Sequence, residues 1–184
     1  MRHRGSEILS YALAGTAPKH GPNAWTKEQL LTDKKNLFEH NIVRDRIVHT
    51  MKTVTPDVTV GETGIMELAH LYHLRTIITA KDSTKSLVEW ARLLHPTPAL
   101  GGEPREKALA LLQTYEAHER GMYAAPFGFM KDIGDGIIVV AIRSALIMDN
   151  VLYAYAGCGV VADSDADEEY AETNNKMRTI LEAL

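Results

Sequence analysis

Apolar and polar positions change period several times along the chain, and the changes mark its elements. From Glu7 to Thr16, Leu9, Tyr11 and Leu13 alternate with smaller residues and Gly15 ends the run, which predicts a strand. Pro18 to Ala24, with two prolines, a glycine and an asparagine, predicts a loop. Thr26 is placed to cap a long helix from Lys27 to about Met51, with an apolar stripe through Leu31, Phe38, Ile42, Val43 and Ile47. From Val58 to Ala80 the pattern fits helix and strand equally. Ser83 or Thr84 is expected to open a helix with Leu87, Val88, Ala91 and Leu94 inward. That helix ends before the loop His95 to Gly102, and a further one is expected from Arg105 to about His118.

The region Met122 to Ala162 reads as an antiparallel meander. Its β-rich runs are Tyr123–Met130, Ile137–Met148 and Val151–Val161, separated by turns at Gly134-Asp135-Gly136 and Asp149-Asn150. Ser164 is expected to cap a last helix whose early acids, Asp165, Asp167 and Glu168, suit a helix N-terminus. Helices mixed with antiparallel strands make the fold class α+β.

At 184 residues the chain is long enough for one domain with a sizeable core. A net charge of −4 with scattered basic residues argues against nucleic acid as a partner, because phosphate neutralisation needs a basic stripe. No apolar run approaches the roughly 20 residues that span a bilayer. The basic start, Met1 to Ser6, lacks the apolar stretch of a secretory signal, so the cytoplasm is the expected compartment. Cys158 is the sole cysteine, which excludes an internal disulfide and a cysteine-built zinc cage.

Candidate chemistry concentrates in the last helix. Met177, Ile180, Leu181 and Leu184 form its inward stripe. Stepping back four residues at a time, that face becomes Thr173 and Glu169 on one line, Lys176 and Glu172 on the other. Two inward carboxylates are costly unless something cationic meets them. The plainer alternative is a solvated Glu172–Lys176 pair of the helix-surface kind. Glu39 lies at the edge of the long helix's stripe, either as a solvated boundary residue or as a ligand. Two helices each offering a carboxylate would suit Mg2+, which commonly takes one or two and leaves its other positions to water and substrate. Arg143 sits in the apolar run 139–146 and needs an anionic partner, either a protein carboxylate or a substrate carboxylate. The run Ala156-Gly157-Cys158-Gly159 permits either close backbone approach to a ligand or a β-bulge. Cys158 reads as a small filler rather than a nucleophile, and neither His73 nor His95 has metal-ligand spacing.

Leu13-Ala14-Gly15-Thr16, Phe38-Glu39-His40, the loop His95 to Gly102, Glu119 to Ala124, Ala141 to Ala145, Ala156 to Val161, and Asp163-Ser164 through Glu169, Glu172 and Lys176 occur in an order that resembles the chorismate-binding enzymes. The resemblance runs from Ser6 to Leu184. It implies part of a large α/β/β/α sandwich, with antiparallel sheets flanked by helices. The loop His95-Pro96-Thr97-Pro98-Ala99 resembles the water-using isochorismate synthases, and Asn36 resembles those of the menaquinone pathway. By resemblance, Glu39 and Glu172 are Mg2+ ligands with Glu169 nearby. Arg143 and the Gly157 backbone hold a carboxylate of chorismate with Lys176 assisting, and Thr16 and His73 line the ring pocket. The family's general-base lysine and general-acid glutamate lie upstream of the Leu-Ala-Gly-Thr motif. This motif begins at Leu13, so neither has a counterpart here. The expectation is therefore the C-terminal part of the catalytic domain, weakly active or inactive alone, and a complementary N-terminal polypeptide is a conceivable partner. Another chorismate-converting activity, making salicylate or anthranilate, and a non-catalytic remnant that binds chorismate or metal remain open alternatives.

Overall fold

The computed structural model describes residues 1–81 and 84–182, and for Thr179 the backbone alone. Its elements run β1 (Arg2–Arg4), β2 (Glu7–Pro18), α1 (Lys27–Thr32), α2 (Lys34–Lys52), β3 (Val58–Glu67), β4 (Leu71–Lys81), α3 (Leu87–Leu94), α4 (Pro98–Gly101), α5 (Arg105–Tyr115), β5 (Pro126–Met130), β6 (Gly136–Val140), β7 (Ala145–Met148), β8 (Val151–Ala154) and α6 (Ala166–Leu181). The class is α+β with antiparallel strands, as expected. Contacts group the chain into two compact units, one of residues 1–116 with 126–139, the other of residues 117–125 with the chain from Val140 onward.

The first unit is a six-stranded sheet in the order β3-β4-β2-β1-β6-β5. Pairing is antiparallel between β3 and β4, β4 and β2, β2 and β1, and β1 and β6. The ambiguous stretch 58–80 is thus the β3–β4 hairpin. Strand β1 escaped the sequence reading because three residues, two of them arginines, give no pattern. Its His3 is nevertheless buried, with Nδ1 3.0 Å from the Gly134 carbonyl. In β2 the smaller set Ile8, Ser10, Ala12 and Ala14 is buried, while Tyr11 and Leu13 face outward.

The long helix expected from Lys27 is two helices. Thr26 caps α1 in a capping box with Gln29, and Asp33, in extended backbone, ends α1 and caps α2 through Asn36 N–H. The break rotates the apolar stripe. Val43, Ile47 and Met51 are buried on α2 and Leu30 on α1, whereas Leu31 and Phe38 stay exposed. The core joins these α2 residues to Ile8, Ala12, Ala14, Ile78, Ala80, Trp90 and Leu94. Helix α3 is capped by Ser86, not by Ser83 or Thr84; Ser83 lies outside the described residues. Trp90 takes the inward place expected of Val88, which is exposed. The loop 95–102 contains the single turn α4, and α5 ends at Tyr115 rather than His118.

Helix α2 is locked to the sheet at two points. Gly15 has φ +79, and a Cβ there would meet Asn36 O and Leu74 Cδ1 at 3.0 Å, so only glycine lets helix and strand approach this closely. Fully buried His40 supplies the other. The Ala14 carbonyl can only accept, so His40 Nδ1–H donates to it at 3.2 Å, and Nε2 accepts from the Thr76 hydroxyl at 2.8 Å. Thr63 Oγ1, 2.8 Å from Thr76 Oγ1, then donates to Thr76. The chain requires a neutral imidazole, and burial holds His40 below its ordinary pKa, the Ala14 carbonyl acting weakly the other way.

The expected meander is divided. Strands β5 and β6 join the large sheet, while β7 and β8 form a separate hairpin, its turn made by Asp149 and Asn150 at φ 51 and 63. The run Ile137–Met148 breaks at residues 141–144, and the run Val151–Val161 is strand only to Ala154. Asp165, not Ser164, caps α6, accepting from Asp167 and Glu168 N–H. Along α6, Ile180 is buried and Met177 half-buried, Leu181 is exposed, and Leu184 lies outside the described residues.

Replacing His40 with alanine removes both partners of buried polar groups and is expected to destabilise the fold by about 2–4 kcal/mol. Because the folded pKa is depressed, the unfolded chain binds more protons below about pH 6.5, so stability is full above that pH and falls as pH drops through it. Denaturant melts at pH 7.5 and 5.5 should show a loss on acidification that is smaller in His40→Ala.

Candidate functional site

In the first unit the structure brings Thr16 and His73 together. They face each other across β2 and β4, just past the irregularity between Leu13 and Thr16, with Thr16 Oγ1 2.9 Å from His73 Nδ1. Thr16 N–H donates to Asn36 Oδ1 at 2.9 Å, and Asn36 Nδ2 donates to Asp33 Oδ1 at 2.8 Å. The helix cap therefore fixes the pair. Glu39 sits one turn further along α2, half-buried, beside the His40 anchor.

The second unit gathers the other candidates. Glu169 is 7% exposed, a depth at which a carboxylate requires donors. Ser164 Oγ–H donates to its Oε1 at 2.6 Å. One turn on, Glu172 forms an ion pair with Lys176, whose Nζ also donates to the Gly157 carbonyl at 3.0 Å. Lys176 thus ties α6 to the small-residue segment after β8. The pairing meets the helix-surface expectation in spacing but not in setting, since both side chains are largely withdrawn from solvent.

Arg143 is not in a strand. It holds φ 53 between β6 and β7, a left-handed conformation that is disfavoured for a residue with a Cβ and concentrates at functional sites. Burial lowers its pKa, while Glu172 and then Tyr123 favour its charged form. Reciprocal backbone bonds hold its segment, from Ala124 N–H to Ala141 O and from Ala141 N–H to Ala125 O, both 2.9 Å. Sequence reasoning missed Tyr123. Its ring stacks on Tyr155 with centroids 5.3 Å apart, and its hydroxyl lies 3.2 Å from where a Cβ on Gly157 would stand. Only three-dimensional proximity to Arg143 and Gly157 distinguishes it from any other strand-flanking tyrosine. The Cys158 thiol is pushed up by burial and then by Glu169, which keeps it protonated and suits filler rather than nucleophile.

Glu169 and Glu172, one turn apart on one helix, offer the hard oxygen ligands that Mg2+ takes, so the residues present fit that ion. Among the described residues no group of three or more His, Cys, Asp or Glu side chains converges by itself as a metal cage. No helix of the described residues is long and apolar enough to cross a membrane.

A guanidinium and an ammonium thus stand beside a carboxylate pair on an α+β scaffold. The family model for chorismate binding enzymes matches residues 1–184, and the chain belongs to that family. It is 37% identical over 189 residues to the salicylate biosynthesis isochorismate synthase of Pseudomonas aeruginosa, covering all of this chain and 40% of that protein. A solved structure described as the 2,3-dihydroxybenzoate-specific isochorismate synthase DhbC of Bacillus anthracis superposes with a TM-score of 0.94 at 32% identity, covering 99% of this chain and 50% of that one. The menaquinone-specific isochorismate synthase MenF of Escherichia coli gives a TM-score of 0.87 at 31% identity, over 98% and 43% of the two chains. The chain thus spans half or less of the length of these proteins.

Arg143→Gly relieves the left-handed strain, worth about 1 kcal/mol, whereas Arg143→Ala keeps it and loses the same side chain. Equilibrium unfolding should find the glycine variant the more stable of the two.

Proposed function

We propose that this chain is the cation- and carboxylate-holding part of an isochorismate synthase, acting on chorismate with Mg2+. The observation that carries the reading is the inward face of α6, where Glu169, Glu172 and Lys176 share one helix face and Glu172 acts on the Arg143 guanidinium. Glu172 and Glu169 are the cation ligands of this unit. Arg143 holds a ring carboxylate of chorismate by a charge-assisted fork, helped by the Gly157 backbone and by Lys176 once a cation relieves it of Glu172. The chemistry that bound Mg2+ supplies is charge neutralisation at the carboxylate conjugated with the ring, where electron density shifts.

In the reaction, a C–O bond forms to water at one ring carbon and the C–OH bond two carbons away breaks. The water loses a proton to a general base, and the departing hydroxyl gains one from a general acid, so the exchange is an isomerisation. Those two proton-transfer roles are assigned to no residue of this chain, and weak or absent turnover of the chain alone is the consequence. The strand edges support a complementary polypeptide as partner. All five residues of β5, at the end of the large sheet, are exposed, and an apolar groove of about 510 Å³ runs between α3 and β5. The β7–β8 hairpin is an isolated two-stranded sheet, of a size that is marginal without further strands.

Incubation of the folded chain with chorismate and Mg2+, with and without a chelator, tests the reading by calorimetry and product chromatography. Chelator-sensitive chorismate binding without turnover is expected, and Glu172→Gln should weaken it at least about 10-fold. Binding indifferent to chelator would contradict the cation role, full turnover the missing base and acid, and any product other than isochorismate the branch.

A further inference from the structure

Ser164 precedes α6 yet does not cap it. Asp165 already accepts from Asp167 and Glu168 N–H at 3.0 and 3.1 Å, leaving the serine hydroxyl for another task. Its Oγ accepts from Val161 N–H at 3.0 Å, while Ser164 N–H donates to Val161 O at 3.0 Å, so the two residues close a turn on each other. With the oxygen engaged as acceptor, the hydroxyl proton points to Glu169 Oε1, and the 2.6 Å separation is that of a strong O–H to carboxylate bond. Glu169 is 7% exposed and lies on the α6 face that carries Glu172.

We propose that Ser164 is a positioning residue for the cation: its hydroxyl holds one oxygen of Glu169 and, with the Cys158 thiol that also hydrogen-bonds this carboxylate, fixes the carboxylate on the α6 face it shares with Glu172. The proposal rests on the cation reading of α6 given above and adds the device that holds the carboxylate. The same hydroxyl joins the turn at Val161 to α6. Rotation of Glu169 and movement of the segment bearing Gly157 are therefore restrained together. Outer contacts of this kind typically alter metal affinity 10- to 100-fold when removed.

Mn2+ serves as the probe, since carboxylate sites accept it in place of Mg2+ and its binding is read directly by electron paramagnetic resonance. The full chain, Ser164→Ala, Ser164→Thr and Asp165→Ala are compared for Mn2+ affinity and thermal midpoint. Ser164→Ala is expected to lose about 10-fold in Mn2+ affinity. Ser164→Thr, which keeps the hydroxyl, should stay within about 2-fold of the parent, and Asp165→Ala should lower the midpoint while leaving Mn2+ affinity alone. Parent-like affinity in a folded Ser164→Ala, or an equal loss in Ser164→Thr, overturns the positioning role while the cation reading stands. Absence of Mn2+ binding by the unsubstituted chain overturns both.

Discussion

A carboxylate carried into a protein interior imposes conditions on everything around it, and Glu169 imposes them on the second unit. Its desolvation has to be offset by donors or cations, and the chain supplies the Ser164 hydroxyl on one side. One turn along the helix Glu172 repeats the demand, answered by Lys176 and by the field of Arg143. Lys176 then reaches the Gly157 carbonyl, Arg143 accepts a left-handed backbone, and Tyr123 stacks on Tyr155 beside them. These features are local concessions to the two carboxylates. A surface of concessions gathered around one charge pair is what a binding site for a charged ligand requires.

The first unit solves a different problem, holding a helix close against a twisted sheet. Gly15 clears the space, Asn36 grips the Thr16 N–H, and His40 threads a one-way hydrogen-bond chain from Ala14 through Thr76 to Thr63. Glu39 rides on that helix next to the deepest anchor, and Thr16 and His73 are set by the same strand irregularity. Rigid support of this sort lets a few side chains keep one geometry without help from a ligand.

Much of this was legible in the residues. The α6 face could be read by stepping the apolar stripe backward, because helical period survives a change from apolar to charged side chains. The Asp149-Asn150 turn was legible because those residue types tolerate positive φ. Other features were not. Asp33 as both stop and start is invisible to a periodicity that a one-residue break shifts only in phase, which is why Leu31 and Phe38 were expected inside and lie outside. Arg143 was expected within a strand because its neighbours are β-formers, yet the tertiary site overrides their propensity. Ser164 was read as the cap because serine caps helices, and the adjacent Asp165 took the role instead. Tyr123 carries no signal before folding brings it to Gly157.

The most direct test of the central claim is a titration of the isotopically labelled chain with Mn2+, following paramagnetic broadening of its amide resonances. The account predicts that residues around Glu169 and Glu172 broaden first, at substoichiometric metal. Broadening that begins instead at the exposed acids Asp165, Asp167 and Glu168, with the inner face of α6 unaffected, would contradict it.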